Sequence, residues 1–159
     1  MQLTQYTDYT LRVLVYLSLQ PERLVTITEI ADFYHVSRNH LVKIVHGLAQ
    51  LGYIETVRGK HGGMRLAHSA DKISIGAVVR QTEPNFDIAE CFNQSTNHCA
   101  ITPACGLKSI LDQARNQFLE ILDKYTIADA IKRRSALSFI VEGGAEALAV
   151  TKSRKSSVA

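Results

Sequence analysis

The chain has 159 residues, of which 46% are hydrophobic and 21% are charged, and its net charge is +3. This composition is typical of a folded globular protein and excludes an intrinsically disordered chain. No apolar run reaches the roughly 18 to 20 residues of a membrane span, and the opening lacks the basic-then-apolar pattern of a signal peptide. We therefore expect a cytoplasmic protein without a membrane partner.

The first predicted element is a helix over residues 3–20, because its apolar residues recur at intervals of three and four. Asp8 and Arg12 lie one turn apart on it and are expected to form a solvated ion pair. Residues 26–51 then have the pattern of a helix-turn-helix. Thr26 or Thr28 can cap its first helix, and Ser37 can cap its second, which ends at Gly52.

Residues 53–67 predict a β-hairpin wing made of YIETV, the turn RGKHGG and MRLA. A helix-turn-helix followed by a basic hairpin indicates a winged-helix DNA-binding domain over residues 1–83. The alternative is an αα-hairpin beside an unrelated β-hairpin. Five Lys or Arg and one acid lie between residues 37 and 66, and such a basic segment favours a polyanion as partner.

The second helix of a helix-turn-helix enters the major groove with its N-terminal residues facing the bases. Arg pairs well with guanine and Asn with adenine, so Arg38 and Asn39 are the best candidates for base reading. The wing can reach the minor groove or its phosphates. The candidate contacts to double-stranded DNA are Ser37, Arg38, Asn39, His40 and Lys43 in the helix, and Arg58, Lys60, His61, Gly62, Gly63 and Arg65 in the wing.

Beyond the wing, residues 84–106 predict a loop that carries the cysteines, and residues 102–131 predict one long helix that starts at Thr102-Pro103. A continuous apolar stripe follows this helix, and we expect it to pack against its copy in a homodimer. Residues 132–159 form a C-terminal extension whose Ser, Lys and Arg-rich tail is expected to be disordered. The expected fold class is mainly α (α+β), a winged helix with a C-terminal dimerisation helix.

Cys91, Cys99 and Cys105 are the only cysteines and lie within fifteen residues. In a reducing compartment such a cluster favours metal or redox chemistry over disulfides. Three thiols are one ligand short of a usual metal site. One completion is a structural zinc site with His98 as the fourth ligand.

The opening LTQYTDYTLRVLVYL, the helix SRNHLVKIV, the wing VRGKHGGMRLA and the motif CAITPAC together resemble the iron-sulfur winged-helix regulators of the IscR and NsrR type. The resemblance covers residues 1 to about 129, and the wing together with CAITPAC favours the nitric-oxide-sensing NsrR branch. Two features depart from that branch: seven residues separate Cys91 from Cys99, which is a longer loop, and the tail beyond Gly143 is longer.

The resemblance implies a homodimer in which each subunit holds an iron-sulfur cluster through Cys91, Cys99 and Cys105. Lys108 stands where the IscR branch has a histidine ligand, and the fourth ligand implied by the NsrR branch is Asp8 of the partner subunit. The resemblance favours a 4Fe-4S cluster over a 2Fe-2S cluster. The implied function is a transcriptional repressor that leaves its palindromic operator when nitric oxide attacks the cluster.

Two other functions stay open at this stage. The chain could be a regulator that senses iron-sulfur status or redox state, or a winged-helix DNA-binding protein stabilised by zinc. An enzyme is not expected, because the sequence offers no Ser/His/Asp arrangement, phosphate-binding loop or pair of catalytic carboxylates.

Overall fold

The computed structural model describes residues 2–144 and is mainly helical, with one two-stranded antiparallel sheet. The mainly α (α+β) winged-helix fold class is therefore confirmed, while the homodimer stays a prediction. Of the predicted C-terminal extension over 132–159, residues 145–159 lie outside the described residues, and the predicted disordered tail lies there. In the described part of the chain, no helix has the length and apolar character needed to cross a membrane. The elements are α1 (Gln5–Leu19), α2 (Ile27–Tyr34), α3 (Arg38–Gln50), β1 (Ile54–Val57), β2 (Gly63–Leu66), α4 (Ile75–Thr82), α5 (Gly106–Asp123), α6 (Ile127–Ala130) and α7 (Arg134–Phe139), with 3₁₀ turns at Ala70–Lys72, Glu90–Phe92 and Thr102–Ala104 and a π turn at Ile140–Gly144.

Helix α1 runs through the centre of the fold and packs against α3, α4, α6 and β2. Its Val13, Leu14 and Leu17 are buried. The rest of the core comes from every neighbouring element, which is why the winged helix forms one unit around α1. These contributions are Ile30 of α2, Leu41, Ile44 and Leu48 of α3, Met64 of β2, Val78 of α4 and Ile127 of α6.

The start of α1 is fixed to the end of α4 by hydrogen bonds. The Thr4 side chain caps α1, and the Glu83 carboxylate accepts a hydrogen bond of 2.7 Å from the Thr4 backbone N–H. One turn later, the Thr7 hydroxyl donates to the Thr82 hydroxyl at 3.0 Å. Since both threonines are buried, this pairing satisfies polar groups that would otherwise be costly.

Local signals explain the helix-turn-helix. Thr26 and Glu29 form a capping box at the start of α2, and His35 adopts the left-handed conformation (φ 53°) that ends this helix. Ser37 occupies the N-cap of α3, but its hydroxyl makes no capping bond there. Gly52 (φ 77°) follows the end of α3, as predicted.

The wing is joined to the chain that precedes α2. Strands β1 and β2 pair with Ile54 opposite Leu66 and Val57 opposite Gly63. Val25 and Met64 also exchange two backbone hydrogen bonds of 2.9 and 2.8 Å. Because Val25 and Met64 are both buried, the base of the wing is held rigidly against the core.

The structure corrects the long helix predicted over 102–131. Residues Thr102–Ala104 form only a 3₁₀ turn, and Cys105 has an extended backbone, so α5 begins at Gly106. The Thr102 hydroxyl donates to the carbonyl oxygen of the preceding Cys99 at 2.8 Å, and it does not cap the start of α5 as predicted. Cys105 therefore occupies the N-cap of α5 and not a position within its first turn.

The predicted helix also ends early, at Asp123. Thr126 caps the short α6 in a capping box with Asp129, and hydrogen bonds from Lys132 and from the Thr126 backbone lower the pKa of Asp129 to about 2. The backbone around Thr126 pairs with the segment before α4, where Ile127 donates to the Ile73 carbonyl at 2.9 Å. Because the chain turns back toward α4 at this point, Ile127 is buried in the core. One continuous helix over 102–131 would carry Ile127 away from it.

The junction of α4 and α5 is unusually close. Arg80 of α4 forms a bidentate ion pair with Asp123 of α5. A Cβ added to Gly76 would overlap the Asp123 carboxylate and lie 2.8 Å from the Asp123 backbone nitrogen. The φ of Gly76 lies outside the left-handed region, so the backbone conformation does not require glycine here. Glycine is required because any side chain would collide with Asp123.

We expect Gly76→Ala to lower the free energy of unfolding by about 1 to 3 kcal/mol, because the added methyl must push α4 and α5 apart. Urea unfolding followed by circular dichroism measures the change. Gly106→Ala is the matched control, since nothing lies within 4 Å of its Cβ position, and it should be neutral or slightly stabilising. Equal effects of the two substitutions would contradict the close packing.

Candidate nucleic-acid interface and metal centre

The outward face of α3 presents the residues predicted to read bases. All five predicted contacts in this segment are exposed, whereas the core-facing residues of α3 are buried. The exposed face also includes residues that the sequence did not single out. The exposed set is Ser37, Arg38, Asn39, His40, Val42, Lys43, His46 and Gln50.

The tip of the wing is a second exposed cationic surface. Arg58, Lys60 and His61 are exposed around a turn in which Gly59 has a φ of 115°. Arg65 differs from them, because its guanidinium donates two hydrogen bonds of 3.1 and 2.9 Å to the Glu55 carboxylate across the hairpin. The charge of Arg65 is therefore largely balanced within the protein, and the free positive charge lies at the tip.

Gly62 and Gly63 have a structural role that the sequence reasoning did not assign. A Cβ on Gly62 would overlap the Val57 carbonyl oxygen, and one on Gly63 would lie 2.8 Å from the Val25 carbonyl oxygen. Both glycines are thus needed to close the hairpin and to attach it to the core. The glycine that requires a positive φ is Gly59, which was not among the predicted residues.

The loop between α4 and α5 is ordered by its own side chains around the cysteines. The Asn97 carboxamide accepts from the Cys99 N–H at 3.1 Å and donates to the Thr102 hydroxyl at 3.1 Å. The Glu90 carboxylate accepts a hydrogen bond from the backbone N–H of His98. This bond connects the Cys91 end of the loop to its Cys99 end across the seven intervening residues.

The Cys91 end of the loop is also held against α5. Cys91 lies in the 3₁₀ turn Glu90–Phe92, and the guanidinium carbon of Arg115 lies 5.1 Å from the centroid of the Phe92 ring. This is a cation–π contact. It holds the turn that contains Cys91 against α5, the helix whose N-cap is Cys105.

The donor chemistry of this loop fits an iron-sulfur cluster. Thiolates are the ligands that such clusters prefer, and Cys105 stands at the N-terminus of an eighteen-residue helix, where free N–H groups favour anions. Cys91 and Cys105 are half-buried and Cys99 is exposed. Among residues 2–144 of one chain, however, no group of three or more His, Cys, Asp or Glu is gathered closely enough to hold a metal ion.

Asp8 lies in the first turn of α1, on the surface, and forms the expected ion pair with Arg12 at 2.7 Å. The guanidinium carbon of Arg12 lies 5.5 Å from the Tyr9 ring centroid and 5.7 Å from that of Tyr34. Burial raises the pKa of Tyr34 to about 12, so this side chain remains a neutral donor to the Arg12 carbonyl oxygen. The carboxylate of Asp8 is therefore accessible and held in a defined position.

One side of α5 exposes large apolar residues to solvent. Ile110 is 63% exposed and Leu107 is 61% exposed, although both belong to the predicted apolar stripe. Ile121 and Tyr125 are about half exposed further along the same segment. Within one chain this side is uncovered, while the opposite side of α5 packs against α4 and includes the buried Leu119.

Known proteins resemble this chain along most of its length. The sequence profile of the Rrf2 family, described as "Iron-dependent Transcriptional regulator", matches residues 3–133. The HTH-type transcriptional regulator NsrR of Bacillus subtilis (strain 168) is 50% identical over 135 residues, which are 84% of this chain and 92% of that protein. The regulator of the same name from Shouchella clausii (strain KSM-K16) is 47% identical over 143 residues, covering 89% and 96%.

Among solved structures, T. potens IscR has a TM-score of 0.66 to this chain at 24% identity, covering 84% of this chain and 88% of that one. The global cysteine regulator CymR of B. subtilis also has a TM-score of 0.66, at 21% identity, with 82% and 95% covered. At these identities the two structures are evidence for the shared fold alone.

Proposed function

This chain belongs to the Rrf2 family of transcriptional regulators and is of the NsrR type within it, and from that premise we propose that it is a repressor controlled by nitric oxide. In this proposal a homodimer binds a palindromic operator while each subunit holds an iron-sulfur cluster. Reaction of nitric oxide with the cluster releases the DNA. The observation that carries the proposal is one helix, α1, which bears Asp8 and packs directly against the exposed recognition helix.

Binding to double-stranded DNA is supported by two exposed cationic surfaces on one winged helix. Arg38 and Asn39 at the start of α3 suit guanine and adenine in the major groove. The cations at the wing tip suit phosphates or the adjacent minor groove. Their rigid attachment through Val25 and Met64 keeps the distance between the two surfaces constant.

Assembly into a homodimer is supported by the uncovered apolar side of α5. A contiguous exposed apolar surface of this kind is typical of a protein interface. The thiols add a second argument, because Cys91, Cys99 and Cys105 are one ligand short of a four-ligand cluster site. In the described residues of one chain they are also not yet gathered around a common point, so binding of a cluster would have to draw the loop together. A second copy would supply the missing carboxylate, which we assign to Asp8 of the partner subunit.

Cys91, Cys99 and Cys105 are the residues that would hold the cluster in each subunit, with 4Fe-4S as the favoured type. When bound, such a cluster supplies a reactive iron, and the iron with an oxygen ligand is the one most open to nitric oxide. Asn97 and Glu90 orient the loop, and Arg12 positions Asp8. Two alternatives are tested below. A protein that holds zinc with His98 would lack the absorbance of a cluster, and a redox sensor would respond to oxygen or peroxide as well as to nitric oxide.

Helix α1 provides a short path from the cluster ligand to the DNA. Tyr6, two residues before Asp8, lies against Gly47 of α3 so closely that a Cβ on Gly47 would overlap its hydroxyl. Gln5, Tyr6 and Tyr9 line a small surface groove together with His40 and Lys43 of α3. A displacement of Asp8 would therefore reach α3 through the direct contact between the two helices.

We expect protein purified without oxygen to show a broad absorbance near about 400 nm that bleaches as nitric oxide is added. Affinity for an operator selected from random duplex DNA should fall in parallel by about 5- to 150-fold, the usual range of coupling between two sites. Cys99→Ala should remove the absorbance and weaken binding to the same extent. Equal responses to oxygen and peroxide would favour a redox sensor, and DNA affinity unchanged by cluster loss would disprove the mechanism.

The assignment of Asp8 to the partner subunit is tested by complementation. Asp8→Ala homodimers should lose the normal cluster stability. Arg12→Ala removes the ion pair that positions Asp8 and the contacts of Arg12 with Tyr9 and Tyr34, but it keeps the carboxylate ligand, so it should lower cluster stability less. A heterodimer of one Asp8→Ala subunit and one Cys99→Ala subunit contains one complete site if Asp8 acts across the dimer, and none if it acts within its own subunit. Iron content and nitric oxide response of the purified heterodimer distinguish the two arrangements.

We expect Ile110→Asp to dissociate the dimer into monomers of 17.6 kDa, because the new carboxylate would be buried in the interface without a partner. Sedimentation velocity measures this change. Ser109→Asp is the control, since the neighbouring Ser109 is also exposed but points away from the apolar side. A dimer that survives Ile110→Asp would place the interface elsewhere.

A further inference from the structure

The outward face of α3 contains one apolar residue, Val42, at its centre. Val42 is 51% exposed, while the other apolar residues of this helix's central turns, Leu41, Ile44 and Val45, are buried. Arg38 and His46 lie one turn to either side of it, and both are exposed. Val42 therefore interrupts a polar surface and contributes little to the core.

The direction of its side chain is well determined. In an α-helix the side chains tilt toward the N-terminus, so the isopropyl group of Val42 covers the turn that carries Arg38 and Asn39. Its branched Cβ leaves one strongly preferred rotamer in a helix. Two methyl groups are thus held in a fixed position beside the two residues best suited to read bases.

The major groove contains one kind of apolar group at the edge of a base, the C5-methyl group of thymine. Polar and charged side chains on α3 can pair with the donors and acceptors of the other base edges. A rigid isopropyl group instead gains free energy by excluding water from an apolar partner. The position of Val42 matches this requirement, because it enters the groove with the helix face that carries Arg38 and Asn39.

We propose that Val42 determines specificity by contacting the C5-methyl group of a thymine in each operator half-site, next to the bases read by Arg38 and Asn39. This inference rests on the proposed function, because it requires α3 to be the recognition helix. It adds a thymine to the half-site that the polar residues alone would not select.

The test replaces one thymine at a time by uracil, which removes only the C5-methyl group. Each duplex carries a single replacement in one half-site. The DNA is a duplex that the anaerobically purified protein selects from a random pool. At one thymine per half-site, uracil should weaken binding by about fourfold, as expected for one methyl group returned to water. Fluorescence anisotropy gives the dissociation constants.

The same set of duplexes is then measured with Val42→Ala. This variant should bind the thymine duplex about fourfold less tightly per half-site and should show no additional loss at the critical uracil. Alanine is the better helix former and the site is exposed, so the variant should fold normally, and circular dichroism checks this. Val57→Ala removes a comparably exposed valine of the wing and should retain the full uracil penalty.

Two results would overturn the inference while leaving the proposed function standing: wild-type protein that is indifferent to uracil at every position, or Val42→Ala that keeps the full penalty. A random pool that yields no enriched duplex would reject the proposed function, and this inference with it. Loss of dimerisation in Val42→Ala, without any coupling to uracil, would assign the valine to a protein contact instead.

Discussion

The burial of a single helix, α1, is the constraint on which the rest of the structure depends. Helices α3, α4, α6 and α7 and strand β2 pack on it, so the recognition helix, the wing and the returning C-terminal segment share one core. Because protein cores are close-packed, none of these elements can shift without displacing its neighbours. The same helix carries the exposed Asp8 in its first turn, so a displacement at that end of α1 would act on every element that packs on it.

The sequence predicted the winged helix well because its signals are local. The apolar period of α3, the capping box of Thr26 and Glu29, and Gly52 each act within a few residues. The helix over 102–131 was predicted wrongly, although Thr126 and Asp129 carry a capping signal of the same kind. A continuous apolar stripe concealed that signal, and the pairing of residues 73–75 with 125–127 is a tertiary contact that no local pattern reveals.

The candidate site shows the same contrast between features that residue type predicts and features that depend on tertiary contacts. Residue type was enough to select the three cysteines as candidate metal donors and the basic residues of the wing as candidates for DNA contact. The roles of Asn97 and Glu90 in ordering the loop, and of Gly62 and Gly63 in closing the wing, depend on contacts that only the folded chain defines. The exposure of Val42 was not predicted, because an apolar residue on a helix is expected to lie in the core until the fold is known.

The two ends of α5 differ in how tightly they pack against the rest of the chain. Gly76 and the Arg80–Asp123 pair clamp its C-terminal end, while its first turns, with the exposed Leu107 and Ile110, extend away from that clamp. Eighteen residues span about 27 Å at 1.5 Å per residue, so a tilt of about 5° at the clamp moves the far end by about 2.4 Å. Cys105 stands at that far end, so such a tilt would displace its thiol by about the length of a metal–sulfur bond.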